Sequence, residues 1–413
     1  MADIHHGSGG KQGMNTREKG KRAVVAVMAA VGLLLGICAT VRSVQTSAQL
    51  EAEVALLTEQ MQEKDIKIAA LKEQTADHLD AYLPGRLYVA VGRTLELYNA
   101  QVAFSGNRQG YSFNWVCDIG RNLERKFAVT GEDKDLGEHT LTLTIYNDRL
   151  EPVWERETVL EVVEDRIREN VHILNIGDSL SDSTPWYEEV TRLSDGRVTF
   201  VGTRGSKNAM HEGRSGFSIC DYLTETDYPY AGEEVHGFYS PATGGFDFSY
   251  YKETTGVHPD VVQIFLGKNG MSLDSKPGID WLKEMVDNIR ETEPDIPIYL
   301  VQTIYMGDQN GIGGETDGKG RSALNGYYKA EEDEKVFLWT KAMDEAFGEM
   351  EQVYLIPAAL TFDSAYNFRA GIETVNARSS RTEAVLEEGM HPNEEGYLQI
   401  ADGIFSVYCG TMR

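Results

Sequence analysis

Four cysteines are too few for a disulfide framework in a chain of 413 residues, and Cys38, Cys117, Cys220 and Cys409 stand too far apart to hold zinc. Basic residues are scarce as well. Lys and Arg number 39 against 65 Asp and Glu, a net charge of -26, which excludes a nucleic-acid surface and the docking of a folded face on anionic lipid. There is no Gly-x-Ser-x-Gly elbow, no phosphate-binding loop and no His-Glu-x-x-His; His211-Glu212 lacks the second histidine. The Gly-rich stretch from Gly307 to Gly326 places Ile312 where a calcium loop needs an oxygen ligand, so it reads as a mobile lid or plain loop. No metal and no cofactor are therefore expected.

Long apolar runs are missing too, with one exception. Ala23 to Val41 is 19 residues without a charge, about 28 Å of helix and enough to cross a bilayer. Lys11, Arg17, Lys19, Lys21 and Arg22 precede it and only Arg42 follows closely, which puts the N-terminus in the cytoplasm and the rest outside. A cleaved signal peptide ending near Thr46-Ser47-Ala48 is the competing reading; the length of the run favours a retained anchor. Ile37 before Cys38 does not suit lipidation.

A composition of 25% charged and 41% hydrophobic residues suits a globular protein of two or more domains. Residues 1–22 read as a disordered cytoplasmic tail and 23–41 as the transmembrane helix. Over 42–83, Leu50, Val54, Leu57, Met61, Lys64, Ile68 and Leu71 step by four and three, a heptad seam with one polar break. That predicts a coiled-coil stalk joining copies of the chain; the bland alternative is an amphipathic helix packed on its own domain. Pro84-Gly85 ends it. Over 84–168, short alternating segments such as Leu87–Val91, Tyr111–Trp115, Thr140–Tyr146 and Thr158–Val163 predict a small antiparallel β-sandwich, read as a spacer because nothing marks a binding face.

Over 169–413 the pattern alternates strand and helix, with apolar strands at Val171–Ile176, Arg197–Gly202, Val261–Phe265, Ile296–Val301 and Val353–Pro357. This predicts an α/β domain with a five-stranded, doubly wound parallel sheet of flavodoxin-like order. The first strand runs into Gly177-Asp178-Ser179-Leu180. A strand that ends in such a turn delivers a serine to the ligand-binding edge of the sheet, where the N-terminus of a following helix would offer N–H donors. Taken alone, the stretch is as well explained by a glycine turn and a serine cap. Near the other end, His391-Pro392-Asn393 precedes a helical pattern that Asn393 is placed to cap.

Four blocks in order make the combination specific: Gly177-Asp178-Ser179-Leu180, His211-Glu212-Gly213-Arg214-Ser215-Gly216, Leu266-Gly267-Lys268-Asn269-Gly270, and Glu388-Gly389-Met390-His391. From Val171 to the C-terminus the chain resembles the SGNH, or GDSL, hydrolases. The resemblance implies Ser179 as nucleophile, His391 as base, and an oxyanion hole of the Ser179 and Gly213 N–H groups with the Asn269 amide. Two positions depart from the family pattern. Gly270 replaces the acid after the asparagine, and Glu388 stands where an Asp usually orients the base, so Glu388 or a backbone carbonyl is expected on His391.

Asp178 and Arg378 are candidates to meet a polar substrate, although Arg378 suits an ordinary salt bridge as well. The aromatic-rich stretch Asp221–Val257 reads equally as a sugar-binding wall or as packing. The resemblance and the topology together imply an extracytoplasmic serine esterase acting on a small ester or an acylated carbohydrate, most plainly one bearing O-acetyl groups. An O-acetyltransferase of the same fold acting on an envelope glycan, and a catalytically inactive surface-binding module, are the alternatives.

Overall fold

A computed structural model describes residue 28 and residues 79–105, 110–182, 184–207, 209–228, 235–307 and 329–412, without the side chains of 329 and 330. The expected membrane span (Met28 apart), the expected coiled coil up to residue 78 and most of the expected lid lie outside the described residues. Among the described residues no helix is long and apolar enough to cross a membrane. Asp77–Arg413 forms one compact unit.

The α/β part is built on a largely parallel sheet. Its strands are β1 (Val171–Gly177), β2 (Val198–Val201), β3 (Ala209–Gly213), β4 (Val261–Phe265), β5 (Ile298–Val301) and β6 (Val353–Ile356). Their order is β3-β2-β1-β4-β5-β6, with the short strand Arg204–Ser206 antiparallel at the β3 edge. The five strands expected from sequence run β2-β1-β4-β5-β6, the flavodoxin-like order. Strand β3 is an addition: it pairs with β2 at Phe200↔Ala209 and then with β1 at Gly177↔Gly213. Both faces are covered, which is why the strands read as nearly unbroken apolar runs. Ile173 belongs to a core under helices α1 (Trp186–Leu193) and α4 (Glu394–Thr411). Its neighbour Leu174 belongs to the opposite core, under α2 (Lys276–Thr292) and α3 (Lys329–Phe347). In α2 the buried residues Ile279, Leu282, Val286 and Ile289 keep the three- and four-residue spacing of a helix with one apolar stripe.

The region before β1 departs from expectation in two ways. It holds a four-stranded sheet, in the order Arg86–Ala90, Pro152–Val163, Gly137–Tyr146, Ser112–Val116, and a three-stranded one of Thr94–Tyr98, Lys126–Thr130 and Arg121–Asn122. The two share a core that includes Leu87, Leu97, Phe127 and Leu143. It is not wholly antiparallel, since Arg86–Ala90 runs parallel to the end of Pro152–Val163. A parallel pair needs a long crossover, and the other strands of the region supply it.

Nor is the region a detached spacer. Tyr305, Val336, Phe337, Ala359 and Leu360 of the α/β part lie in that same core. Polar groups stitch the contact: Gln101 donates to the Phe362 carbonyl at 2.6 Å, and Arg125 meets Asp363 at 3.1 Å. The sequence shows the alternation of each strand but carries no mark of what its apolar face meets.

The aromatic stretch 221–257 resolves toward packing. Tyr222, Tyr228, Phe238, Phe246, Phe248 and Tyr251 are all buried, and Phe238 stacks on Tyr251 with ring centroids 4.1 Å apart. Stacked and edge-on pairs of this kind stabilise an insertion that has no long helix of its own.

Candidate active site

Ser179 sits half-buried in the turn just past β1. The turn is closed by Ser181 N–H donating to the Asp178 carbonyl at 3.0 Å and by Leu180 N–H donating to the Asp178 carboxylate at 2.9 Å. No helix opens at Ser179, contrary to expectation. Helix α1 starts at Trp186, behind Pro185, so its N-terminus is too far along the chain to serve the serine directly. A proline at that point favours an extended residue before it, which delays the helix.

Asp178 is fully buried and also accepts from Lys268 N–H at 3.3 Å. Burial raises its pKa to about 6, against the pull of the two N–H groups and of Lys268. It therefore ties the nucleophile turn to the asparagine block and is closed to substrate, which corrects its expected role.

His391 approaches from the far end of the chain. Its Nε2 lies 3.0 Å from Ser179 Oγ, and Glu388 Oε1 bonds its Nδ1. With Nδ1–H donating to the carboxylate, Nε2 is the free base facing the hydroxyl. The orienting group is thus Glu388 rather than a backbone carbonyl. The loop is fastened on several sides. Glu387 N–H donates to the Arg369 carbonyl, Gly307 N–H to the Gly389 carbonyl, and Asn393 caps α4 by accepting from Gly396 N–H at 2.8 Å. Fixing both ends of a loop holds its side chains to one geometry.

The expected oxyanion donors need one correction. The Gly213 N–H is engaged, donating to His211 Nδ1 at 3.0 Å. A Cβ on Gly213 would stand 2.5 Å from the Ser181 carbonyl oxygen, so this glycine serves a close backbone approach. Three residues on, Gly216 is exposed at φ +87°, with open space where a Cβ would point. With the Gly213 N–H engaged, Gly216 is the other candidate donor that the block holds. Both glycines stand in one sequence block, which gives no means of knowing which N–H is occupied.

Asn269 is half-buried and donates one amide hydrogen to the Phe217 carbonyl at 3.0 Å, leaving the second for an oxyanion. That bond joins the asparagine block to the Gly216 turn and takes over the support that the missing acid would give; Gly270 itself is exposed at φ +77°. Replacing Asn269 with alanine is expected to cut kcat by on the order of 10²–10³ with little change in KM, read from steady-state hydrolysis of an aryl acetate.

Arg378 lies exposed in the turn between strands Ala370–Thr374 and Thr382–Leu386. Among the described residues it forms no ion pair, and only its backbone N–H is bonded, to Asn376 at 2.9 Å. The hairpin's near end runs into Glu388, which puts Arg378 roughly 15–20 Å out along the strands from the triad.

Behind the site lie groups that the sequence did not single out. Tyr222 donates to the carbonyls of Gly177 and Glu212, clamping β1 to β3. Glu212 and Arg214 form a buried ion pair at 3.0 Å, with Tyr251 and Thr203 also donating to Glu212. A chain of hydrogen bonds runs from Tyr408 through Gln263, Asn175 and Tyr187 to the Ser181 carbonyl. Each is a buried polar group that costs stability unless paired, and each pairing fixes a strand end near the nucleophile. The signal available in the sequence was polar residues inside otherwise apolar strands, as at Asn175 and Gln263.

Burial lowers the pKa of His211 to about 4, with its Nδ1 accepting the Gly213 N–H. A histidine held neutral in this way contributes stability that is present above about 6.5 and lost as pH falls through about 4; the full loss is of order 3 kcal/mol. Asp178 acts in the opposite sense: its contribution is present below the ordinary carboxylate range and lost as pH rises through about 6. Urea unfolding of wild type and His211→Asn between pH 7.5 and 4 should separate the two. Asn keeps an acceptor for the N–H two residues on, and the variant is expected to lose less stability on acidification than wild type. Equal pH slopes would exclude His211 as the acid-sensitive group.

No protein-family model matches the chain, and no curated protein matches it. Solved structures with a similar fold include a carbohydrate esterase family 3 from Talaromyces cellulolyticus, at 18% identity over 59% of this chain and 98% of that one, with a TM-score of 0.37. A Clostridium thermocellum family 3 carbohydrate esterase is similar at 16% identity over 59% and 97%, with a TM-score of 0.34. A Corynascus thermopiles (Myceliophthora fergusii) carbohydrate esterase family 2 enzyme plus carbohydrate binding domain is similar at 13% identity over 81% and 96%, with a TM-score of 0.32.

Proposed function

We infer that this chain is a serine ester hydrolase of the SGNH type. The contact that carries the reading is the line from Glu388 through His391 to Ser179, in which His391 and Ser179, 212 positions apart in sequence, meet at 3.0 Å. His391 Nε2 takes the Ser179 proton as Oγ bonds to the ester carbonyl carbon. The oxyanion is met by the N–H groups of Ser179 and Gly216 and by the Asn269 amide. The tetrahedral adduct collapses with cleavage of the carbon–alkoxy bond, and the alcohol leaves with the proton from His391. Water then attacks the acyl-serine by the same route, releasing the acid and restoring the hydroxyl.

The substrate proposed is a short acyl group, acetyl, on a hydrated alcohol such as a carbohydrate. Polar groups beside the Gly216 turn support this. Asp182, next to the Gly216 turn, accepts from Ser215 Oγ and Tyr228 at 2.8 Å, and Arg204 stacks on Tyr228 with 4.5 Å from the guanidinium carbon to the ring centre. A long acyl chain would want an apolar wall there. The catalytic domain is proposed to lie outside the cytoplasm, held by the apolar run 23–41; protease added to intact cells should then release it.

The test is acetate release from acetylated xylan and from 4-nitrophenyl acetate by the full chain, with Ser179→Ala alongside. Hydrolysis that vanishes in the variant supports the esterase. Acetyl recovered on an acceptor sugar would point to transfer instead. No turnover and no labelling by a fluorophosphonate would overturn both and leave a binding module.

A further inference from the structure

The β-rich region carries no group of the triad, yet a line of hydrogen bonds runs from it to the loop that holds His391. The line starts on strand Thr94–Tyr98, where Glu96 and Tyr98 stand two residues apart and so share one face. Lys126 on the neighbouring strand bonds Glu96 Oε1 at 2.5 Å, and the Tyr98 hydroxyl donates to Glu96 Oε2. Both groups are thereby fixed from within the β-rich region.

Gln399, on α4, takes the line across. Its amide nitrogen donates to Glu96 Oε2 at 3.3 Å and to the Tyr98 hydroxyl at 3.2 Å. Its Oε1 accepts from the Asp363 N–H at 2.8 Å and from the Asn367 amide at 2.7 Å. With acceptors around the nitrogen and donors around the oxygen, the amide is held one way round.

The turn from Asp363 to Asn367 seats the base loop. It is closed on itself, since the Asn367 N–H donates to the Asp363 carbonyl and the Ala365 N–H to the Asp363 carboxylate, each at 3.0 Å. The Asn367 carbonyl accepts from the Asn393 N–H at 3.0 Å, Phe368 bridges Pro392 in antiparallel fashion, and the Asn393 amide donates to the Phe368 carbonyl at 3.2 Å. Pro392 and Asn393 are the two residues that follow His391. The packing leaves no slack: a Cβ on Gly396, in the first turn of α4, would come within 2.5 Å of the Asn367 carbonyl oxygen. A turn so closely packed passes its own displacement to the backbone beside His391.

We propose that Gln399 is a positioning residue for His391, and that the β-rich region, through Glu96 and Tyr98, is the fixed end from which it holds the base in register with Ser179. The proposal rests on the esterase reading, in which His391 is the base. Gln399 acts through the 363–367 turn and Asn393, so its loss slows the proton transfer and leaves substrate binding alone. The bonds of Gln101 to the Phe362 carbonyl and of Arg125 to Asp363 keep the two parts docked when it is replaced.

Steady-state hydrolysis of 4-nitrophenyl acetate by the full chain tests it. Gln399→Ala is expected to lower kcat tenfold or more, with KM within twofold of wild type. Gln399→Glu keeps an acceptor for Asp363 and Asn367 but sets a carboxylate against Glu96, and a similar fall in kcat is expected. Adding Glu96→Gln supplies that carboxylate with an N–H donor while still accepting from Lys126, and is expected to bring kcat back to within threefold of wild type. Thermal unfolding reports stability separately, since a purely structural role would leave kcat per folded molecule unchanged. Should Gln399→Ala fail to fold, Gln399→Glu with and without Glu96→Gln carries the test. A kcat within twofold of wild type in either folded Gln399 variant, or a fall that Glu96→Gln does not reverse, overturns the proposal. Failure of the esterase reading shows separately, as absent hydrolysis by the unsubstituted chain. Amide hydrogen exchange over 387–393 then decides without turnover: faster exchange in Gln399→Ala than in wild type supports the positioning role, and equal exchange overturns it.

Discussion

Ser179→Ala is expected to lower kcat on 4-nitrophenyl acetate by about 10⁴–10⁶, with the unfolding midpoint nearly unchanged. The hydroxyl is half-buried and its bond to His391 spans the cleft and does not tie the core together, so its removal leaves no buried cavity and takes away the only atom that becomes covalently attached. What survives, on the order of 10³ above water, would come from substrate binding and the oxyanion donors acting on a water molecule. Stopped-flow or steady-state absorbance of 4-nitrophenolate measures it. A loss below tenfold would mean that the acyl group never resides on Ser179 and that the Ser179–His391 contact is incidental.

The second large effect belongs to Glu388. In the proposed mechanism its carboxylate, bonded to His391 Nδ1, fixes the tautomer that presents a bare Nε2 to Ser179 and would stabilise the imidazolium formed when the proton moves. Glu388→Gln preserves the shape but can donate to Nδ1 and so reverse the tautomer, and it is expected to cost about 10³–10⁴ in kcat. Glu388→Ala is expected to do the same. Glu388→Asp tests the departure from the family pattern: with this loop set for a longer side chain, aspartate should recover only part of the rate. Full activity in Glu388→Ala would remove the glutamate from the mechanism. Measuring kcat against pH for each variant separates loss of orientation from a change in the base itself.

The sequence carried the chemistry of the site further than its surroundings. The meeting of Ser179, His391 and Glu388 was legible because four ordered blocks resemble one family, while the turn after an apolar strand and the loop before a capped helix would each have read alone as plain turns; the sheet order brings both to one edge. Strands β1, β4, β5 and β6 were legible as buried apolar runs. Gly213 was misassigned because the fate of a single N–H depends on a histidine ring two residues away folding back on it. Asp178 was misread because its burial is a property of the packed loops, and a carboxylate in sequence looks alike wherever it ends up. The parallel pairing of Arg86–Ala90 was out of reach for a related reason: alternation fixes which face is apolar, and long-range topology decides the direction of the neighbour.

The common core between the β-rich region and the α/β sheet bears on how such a chain can be handled and how it can change. Val336 and Phe337 on α3 and Leu360 beyond β6 owe their shelter to Leu87, Val89 and Leu97. A hydrolase excised at residue 169 would present that patch to solvent and tend to self-associate. Transplanting the catalytic part onto another leader therefore means carrying the preceding ninety or so residues with it, or repainting the uncovered face with polar side chains. Over generations the two parts are bound to drift in step, since a swollen side chain on either side must be matched by a trimmed one opposite.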